Sequence, residues 1–530
     1  MHRILTLLCV SVALPAQTAR ITILATADLH GHLLPYDYYT AKPANLGLAK
    51  IATLIERERA LNPHALLFDC GDTIQGSPLE AVYQHSVRRN GTAVPPDPMM
   101  AAMNAAGFEA MVLGNHEFNY GLANLQRARE AARFPWLSAN TVGGSRPFQP
   151  SIVKELAGVK VAIAGITTPS IPEWEKPEYY AGYKFLPGVD SARKAVAQLR
   201  SEQRADLVIL GVHAGLEREG ETPGEQMVGA IADGVPGVDA IVFGHTHQQV
   251  EQQLRSGVLL VQPKNWGASL ARLDFELEKF GGTWKVVSKH SRLIPAGPDV
   301  PPDPRIVRIA APYHEAAERY LNTPVAEAPV EMDARSARVR DTALIDSIQI
   351  VQLHYAAADV SFASSFSSSV RVKKGPVTVR ELAALYLYDN ELYAIDGTGR
   401  MVKDALENAA RYFLTCQGDS CKQGPAFNRE VFGFNYDMAQ GVEYEIDLRR
   451  PAGDRVRNLR FRGQPLAADR KLRIAVNNYR AAGSAGYSMF RGARILWKSN
   501  QEIRDLMVEY YTRVKRLPES PDNNWRLVTE

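Results

Sequence analysis

The sequence predicts an α/β chain of two domains, on three observations. Its 530 residues exceed what a single hydrophobic core ordinarily serves. From Arg20 to about Pro295, short apolar runs alternate with helical patterns, and each run is bounded by Gly, Asp or Asn, as strands buried on both faces are. Pro295 to Pro304 then holds five prolines, and beyond Pro324 the runs alternate apolar with polar residues.

Taken in order, Met1-His2-Arg3 and the apolar run Ile4 to Leu14 read as a secretory signal over residues 1–19, too short to span a bilayer. Residues 20–298 form the first domain. Ile21 to Ala25 is a strand, and Leu46 to Leu61 an amphipathic helix with Leu48, Ile51, Ala52, Leu54 and Ile55 near one face. Further strands are expected at Ala65–Phe68, Ala110–Leu113, Val159–Ile166, Leu207–Val212 and Ala240–Phe243, with a closing antiparallel pair at Leu270–Leu277 and Trp284–Leu293. Residues 299–324 read as linker and helix. Residues 325–530 read as an α+β domain, with a helix at Gly399–Phe413 and half-buried strands at Gly441–Leu448, Arg455–Phe461 and Lys471–Asn477.

Apolar content of 45%, charged content of 22% and a net charge of +3 are those of a soluble globular protein. They give no basis for binding a nucleic-acid polymer or a membrane surface, which call for clustered Lys and Arg. Cys416 and Cys421 flank a polar loop and fit a local disulfide in an exported protein, periplasmic or secreted. A zinc pair is the alternative, with no second Cys or His pair nearby.

The chemistry lies just past the strand ends. Asp28-Leu29-His30 follows the first strand, Gly71-Asp72 the second and Gly114-Asn115-His116-Glu117 the third. His213 follows Leu207–Val212, and Gly244-His245-Thr246-His247 follows Ala240–Phe243. Ligands of open α/β sheets bind at the carboxyl ends of the strands, so these side chains converge on one rim. Oxygen and imidazole donors without thiolate suit Mn²⁺, Mg²⁺, Zn²⁺ or Co²⁺, and there are enough for two ions. Two adjacent ions stabilise both the attacking and the leaving oxygen of an in-line phosphoryl displacement.

These blocks, in this order, resemble the calcineurin-like metallophosphoesterases. Thr73-Ile74-Gln75-Gly76-Ser77-Pro78 and the C-terminal half are similar to the 5′-nucleotidase family. Phe118-Asn119-Tyr120-Gly121 and Asn477-Asn478-Tyr479-Arg480 resemble its bacterial 2′,3′-cyclic-nucleotide 2′-phosphodiesterase/3′-nucleotidase branch. The resemblance implies a sandwich of two sheets flanked by helices, joined by a linker helix to a nucleotide-binding domain. It implies Asp28, His30 and His247 on one ion, Asn115, His213 and His245 on the other, and Asp72 bridging. His116 would act on the phosphate or the leaving oxygen. Where 5′-nucleotidases orient that His with an Asp, this chain has Asn119, which accepts a hydrogen bond but supplies no charge, so a less basic His116 is expected.

The resemblance also implies a nucleotide substrate, with Tyr388 and Tyr479 stacking the base and Asn478 and Arg480 touching sugar or base. Of the family's glycine-rich Asn-Gly-Gly-Gly-x-Arg stretch only Arg371 remains, and the ribose-binding loop reads Gly483-Ser484-Ala485-Gly486 without its Asp. Both departures point away from a strict 5′-nucleotidase pocket. The expected activity is therefore an exported two-metal hydrolase of 2′,3′-cyclic nucleotides and 3′-nucleotides. The alternatives are a 5′-nucleotidase or nucleotide-sugar hydrolase, and a secreted nucleotide-binding protein without catalysis.

Overall fold

The structure, a computed structural model, describes residues 17–90, 95–217, 224–366, 368–386, 388 and 390–529, so most of the expected signal segment lies outside the described residues. Two six-stranded sheets build the N-terminal half. Strands β1 (Thr18–Thr26), β2 (Leu66–Asp69), β3 (Ala110–Val112) and β4 (Trp136–Leu137) run parallel. The next six are β5 (Ser151–Leu156), β6 (Val159–Thr167), β7 (Leu207–His213), β8 (Ala240–Phe243), β9 (Val250–Arg255) and β10 (Val258–Gln262). They make the second sheet, ordered β9-β10-β8-β7-β6-β5. The hairpin β11 (Ser269–Phe280) and β12 (Thr283–Pro295) returns to the first sheet, ordered β12-β11-β1-β2-β3-β4.

Side-chain alternation explains the layering. Ile21, Ile23 and Ala25 of β1 point between the sheets, with Phe68, Val112, Ile209 and Val242. Leu24, one residue out of phase, packs outward with Leu48, Ile51 and Ile55 of helix α1 (Leu48–Leu61). Val208, Leu210 and Val212 of β7 likewise pack on Ala192, Val196 and Leu199 of α2 (Gly188–Ser201). Gly211 lets the two sheets approach closely, because a Cβ there would sit 2.5 Å from Val112 Cγ2 and 3.0 Å from Phe68 Cε2. The parallel strands of both sheets thus deliver their carboxyl ends to one edge.

The proline-rich stretch is held against α1. Lys50 Nζ donates to Gly297 O at 2.8 Å, Asp303 N donates to Ala49 O at 2.8 Å, and Val300 is buried. The helix α3 (Pro304–Leu321), capped by Asp303, buries Ile306, Ala310, Ala317 and Leu321 at helical spacing. It packs on α1 and on the helices Pro78–Asn90 and Pro98–Ala106, so it belongs to the N-terminal half.

In the second half a mixed sheet contains β13 (Val360–Ser364), β14 (Glu391–Thr398), β15 (Asp437–Gln440), β16 (Lys471–Asn477) and β17 (Ile495–Glu502), ordered β15-β13-β16-β14-β17. Helices α4 (Ala343–Ala356) and α5 (Gly399–Ala410) contact its strands. Cys416 and Cys421 form a disulfide.

The halves meet through polar contacts. Gln75 Nε2 donates to Glu502 Oε1 at 3.0 Å, and the Arg504 guanidinium lies 4.4 Å over the Tyr39 ring. Arg380 donates to Tyr38 O and, at 2.8 Å, to Glu318 on α3. Arg380→Ala should lower unfolding stability by about 1–3 kcal/mol in urea titrations, since hydrogen bonds to charged groups are the stronger kind. A loss below about 0.5 kcal/mol, the level of an ordinary surface substitution, would show that this contact carries no weight.

Candidate metal centre

The seven expected donors meet at the shared strand edge. Asp28 and His30 follow β1, Asp72 follows β2, Asn115 follows β3, His213 ends β7, and His245 and His247 follow β8. They fall into two groups, Asp28, His30 and His247, and Asp72, His213 and His245, each with donor atoms within 4.8 Å of one another. Asn115 Oδ1 joins the second, 3.1 Å from His213 Nε2 and 2.9 Å from His245 Nδ1. Asp72 Oδ2 stands between the groups, 2.9 Å from His213 Nε2 and 3.8 Å from His30 Nε2.

Reaching this geometry strains the backbone. Asp28, His30, Asp72, His245 and His247 all have positive φ, between 46° and 72°, a conformation that costs side-chain-bearing residues on the order of 1 kcal/mol each. Backbone hydrogen bonds hold the loops there: Asp28 N donates to Gly71 O at 3.0 Å and His30 N to Asp72 O at 2.9 Å. The fully buried Glu117 carboxylate accepts from the backbone N–H groups of Asp72 (3.0 Å), Thr73 (2.6 Å) and Gly114 (2.7 Å), clamping two ligand loops together. Gly114 is required by contact, since a Cβ there would lie 2.2 Å from Asp72 Oδ1.

The imidazole tautomers follow from their neighbours. His213 Nδ1 lies 2.7 Å from Cys70 O and His30 Nδ1 lies 3.1 Å from Gln75 O. A carbonyl only accepts, so both Nδ1 atoms donate, which leaves each Nε2 as the ring atom that faces the centre and can bind a cation once deprotonated. His30 Nε2 and His247 Nε2 face each other at 2.9 Å, and Asp28 Oδ2 is buried without a hydrogen-bond partner. Converging imidazole nitrogens and an orphaned carboxylate oxygen fit divalent cations bound by oxygen and imidazole.

The protein's own charges are strongly coupled here. Burial pushes Asp28 up to about 7. Burial also works against ionised Asp72, but His213 and His116 outweigh it and hold its carboxyl well below the usual range. Burial disfavours imidazolium at His213 and His116, yet Asp72 raises them to about 10 and about 9. Cations on Asp72 would cancel that attraction, so the high value at His116 belongs to the metal-free charge balance. His116 itself is half-buried beside His30, with ring centroids 5.3 Å apart, and its Nδ1 lies 2.6 Å from Asn119 Oδ1.

The expected substrate contacts divide. Tyr388 and Tyr479 are exposed by 45% and 57%. Tyr388 packs edge-on against Phe366 (5.0 Å between centroids) and beside Phe434 (6.2 Å), which itself stacks on the exposed Phe432. Nothing in the local spacing of these phenylalanines separates them from core aromatics in the sequence. Asn478 Oδ1 is buried without a partner, and Arg371 is held at 3.1 Å by Asp333. Arg480 departs from expectation. Its guanidinium turns inward to Asp437 (2.7 and 3.0 Å) and Phe434 O, where it pins the loop before β15 instead of reaching a substrate. Sequence reasoning quoted Gln75 and Glu117 within motifs without a role, and did not name Trp174, whose ring stacks on His245 at 5.5 Å.

Fold and site define a two-domain, metal-dependent phosphoesterase. Residues 21–249 match the calcineurin-like phosphoesterase model, and residues 323–492 the 5′-nucleotidase C-terminal domain model. A 2′,3′-cyclic-nucleotide 2′-phosphodiesterase/3′-nucleotidase from Haemophilus influenzae is 30% identical over 96% of this chain and 87% of its own. The trifunctional nucleotide phosphoesterase protein YfkN of Bacillus subtilis is 31% identical over 97% of this chain, which spans only 39% of that protein's length. Among solved structures, a putative 5′-nucleotidase from Staphylococcus aureus superposes with a TM-score of 0.72 over 96% of this chain and all of its own, at 24% identity. The chain belongs to the calcineurin-like phosphoesterases that carry a 5′-nucleotidase C-terminal domain.

Adding Mn²⁺ or Zn²⁺ to chelator-treated protein should raise its melting temperature, by the equivalent of about 2–3 kcal/mol at a hundredfold excess over Kd. His213→Ala should abolish the rise, and an undiminished rise in that variant would remove the donor assignment. Gly114→Ala, which drives a methyl into Asp72, should lose metal-dependent stabilisation and turnover together.

Proposed function

We propose that this chain is an exported two-metal hydrolase that opens 2′,3′-cyclic nucleotides to 3′-nucleotides and then releases phosphate, leaving a nucleoside. The observation that carries the reading is the near full-length match to a relative named for that activity, with the branch's Asn119-Tyr120-Gly121 text beside the metal donors. Asp28, His30, Asp72 and His247 would hold one cation and Asp72, Asn115, His213 and His245 the other. The bound cations would supply Lewis-acid stabilisation of charge on phosphoryl oxygens.

The chain's residues do the rest. His116 presents Nε2 toward the centre, since Nδ1 is taken by Asn119. It gives a proton to the ester oxygen that leaves phosphorus as water's oxygen bonds to it, a role suited to imidazole near neutral pH. Tyr388 and Tyr479, with Phe434 beside Tyr388, offer aromatic faces to a base, each contact worth about 1–3 kcal/mol with little demand on base identity. The loop at 483–486, with positive φ at Gly483, Ala485 and Gly486, lacks a carboxylate for the ribose, in keeping with a sugar turned to present its 2′ or 3′ oxygen. The disulfide supports an oxidising compartment, periplasmic or secreted. Among the described residues no helix is long and apolar enough to cross a membrane.

Initial rates on 2′,3′-cyclic AMP, 3′-AMP and 5′-AMP test the ester assignment. The first two should exceed the third by about tenfold or more, roughly 1.4 kcal/mol of transition-state discrimination. A 5′-AMP rate above both others would instead identify a 5′-nucleotidase.

A further inference from the structure

Asn119 alone cannot decide which face of its amide meets His116, because its oxygen and nitrogen ends are nearly the same shape. The next residue outward decides it. Asn119 Nδ2 donates to Glu175 Oε1 in a short contact, and Glu175 is only 8% exposed, with Oε2 buried and unpartnered. An ionised carboxylate only accepts, so the NH₂ group must face Glu175 and Oδ1 must face His116. With 2.6 Å to that oxygen, His116 Nδ1 must carry its proton, which leaves Nε2 as the atom turned to the reacting ester.

Glu175 is held for this task. Its N–H donates to Ile171 O at 2.9 Å at the end of the short helix Ile171–Trp174, whose Ile171 is fully buried and whose Trp174 stacks on His245. The segment is thereby registered against a metal donor on one side and against Asn119 on the other.

We infer that Glu175 is the positioning carboxylate of His116, acting through the side-chain amide of Asn119. The Asp that 5′-nucleotidases place directly on this His is thus displaced here by one link, and the charge that Asn119 lacks returns from a segment 56 residues further along the chain. The proposal rests on reading His116 as the proton donor to the leaving oxygen. During turnover the proton leaves from Nε2 while Nδ1–H stays on Asn119. Burial pushes the Glu175 carboxyl up to about 7, His116 pulls it down, Glu391 raises it, and Asn119 and Lys498 lower it, so pH 8 keeps it ionised.

The test exchanges the two groups. At pH 8, Glu175→Gln should lower kcat on 3′-AMP by about 10- to 100-fold, part of the roughly 10²–10⁴-fold a positioned acid supplies, with KM within about twofold. The tautomer is read in the neutral ring that remains once Nε2 has lost its proton, in metal-loaded, histidine-labelled protein above the pH at which His116 titrates. There, long-range ¹H–¹⁵N spectra should show one His116 tautomer, protonated at Nδ1, in the wild type and a mixture in Glu175→Gln. The double variant Asn119→Asp/Glu175→Gln should regain both the rate and the single tautomer, because the carboxylate now accepts directly from Nδ1–H and the amide donates to it. Glu175→Asp, which keeps the charge, should retain the single tautomer and serves if Glu175→Gln does not fold. A single Nδ1–H tautomer in Glu175→Gln with near wild-type kcat would overturn the proposal. So would a double variant no better than Glu175→Gln in both readouts. The spectra are read without any ester, so a wrong ester assignment would silence the rate arm and leave the tautomer arm standing.

Discussion

One buried carboxylate organises the site. Asp72 stands where the carboxyl ends of two sheets meet, 2.9 Å from His213 of the second sheet and 3.8 Å from His30 of the first. Its other oxygen accepts the backbone N–H of His116 at 2.9 Å. Taking such a charge out of water is costly unless cations or donors surround it. The structure meets that cost with imidazoles on both sides, with the Glu117 clamp beneath, and with a fold whose sheets approach closely where Gly211 and Gly165 have no side chain. Strain at five donor residues is the counterpart of this arrangement, concentrated where the chemistry occurs.

The metal donors were legible because each sits directly after a strand whose apolar run marks itself, and strand ends at one sheet edge converge whatever loops intervene. The same reasoning located the closing hairpin and the α3 helix. It read Pro295–Pro304 as a linker, and the structure shows that segment tied to α1 through Lys50 and Asp303, contacts that proline content does not report. It assigned Arg480 to the substrate, but an Arg beside an Asn-Asn-Tyr run gives no local sign that Asp437, 43 residues earlier, will take its charge. Glu117 was read as part of a motif without its job, and Glu175 was not read at all, because both act through contacts made only when distant segments fold together.

The C-terminal half enters the site by contact as well as by sequence. Glu502 reaches Gln75, whose Oε1 lies 3.0 Å from His30 Nδ1, so a residue of the second half is two hydrogen bonds from an expected metal donor. Glu391 and Lys498 of the same half bear electrostatically on His116 and Glu175. The two halves are thereby in electrostatic and hydrogen-bonding contact at the metal centre.

The most direct measurement is anomalous diffraction from crystals grown with Mn²⁺ or Zn²⁺. Two peaks per chain are expected, one among Asp28, His30, His247 and Asp72, the other among Asp72, Asn115, His213 and His245. A single peak, or ions held by residues other than these, would contradict a centre built around a shared Asp72.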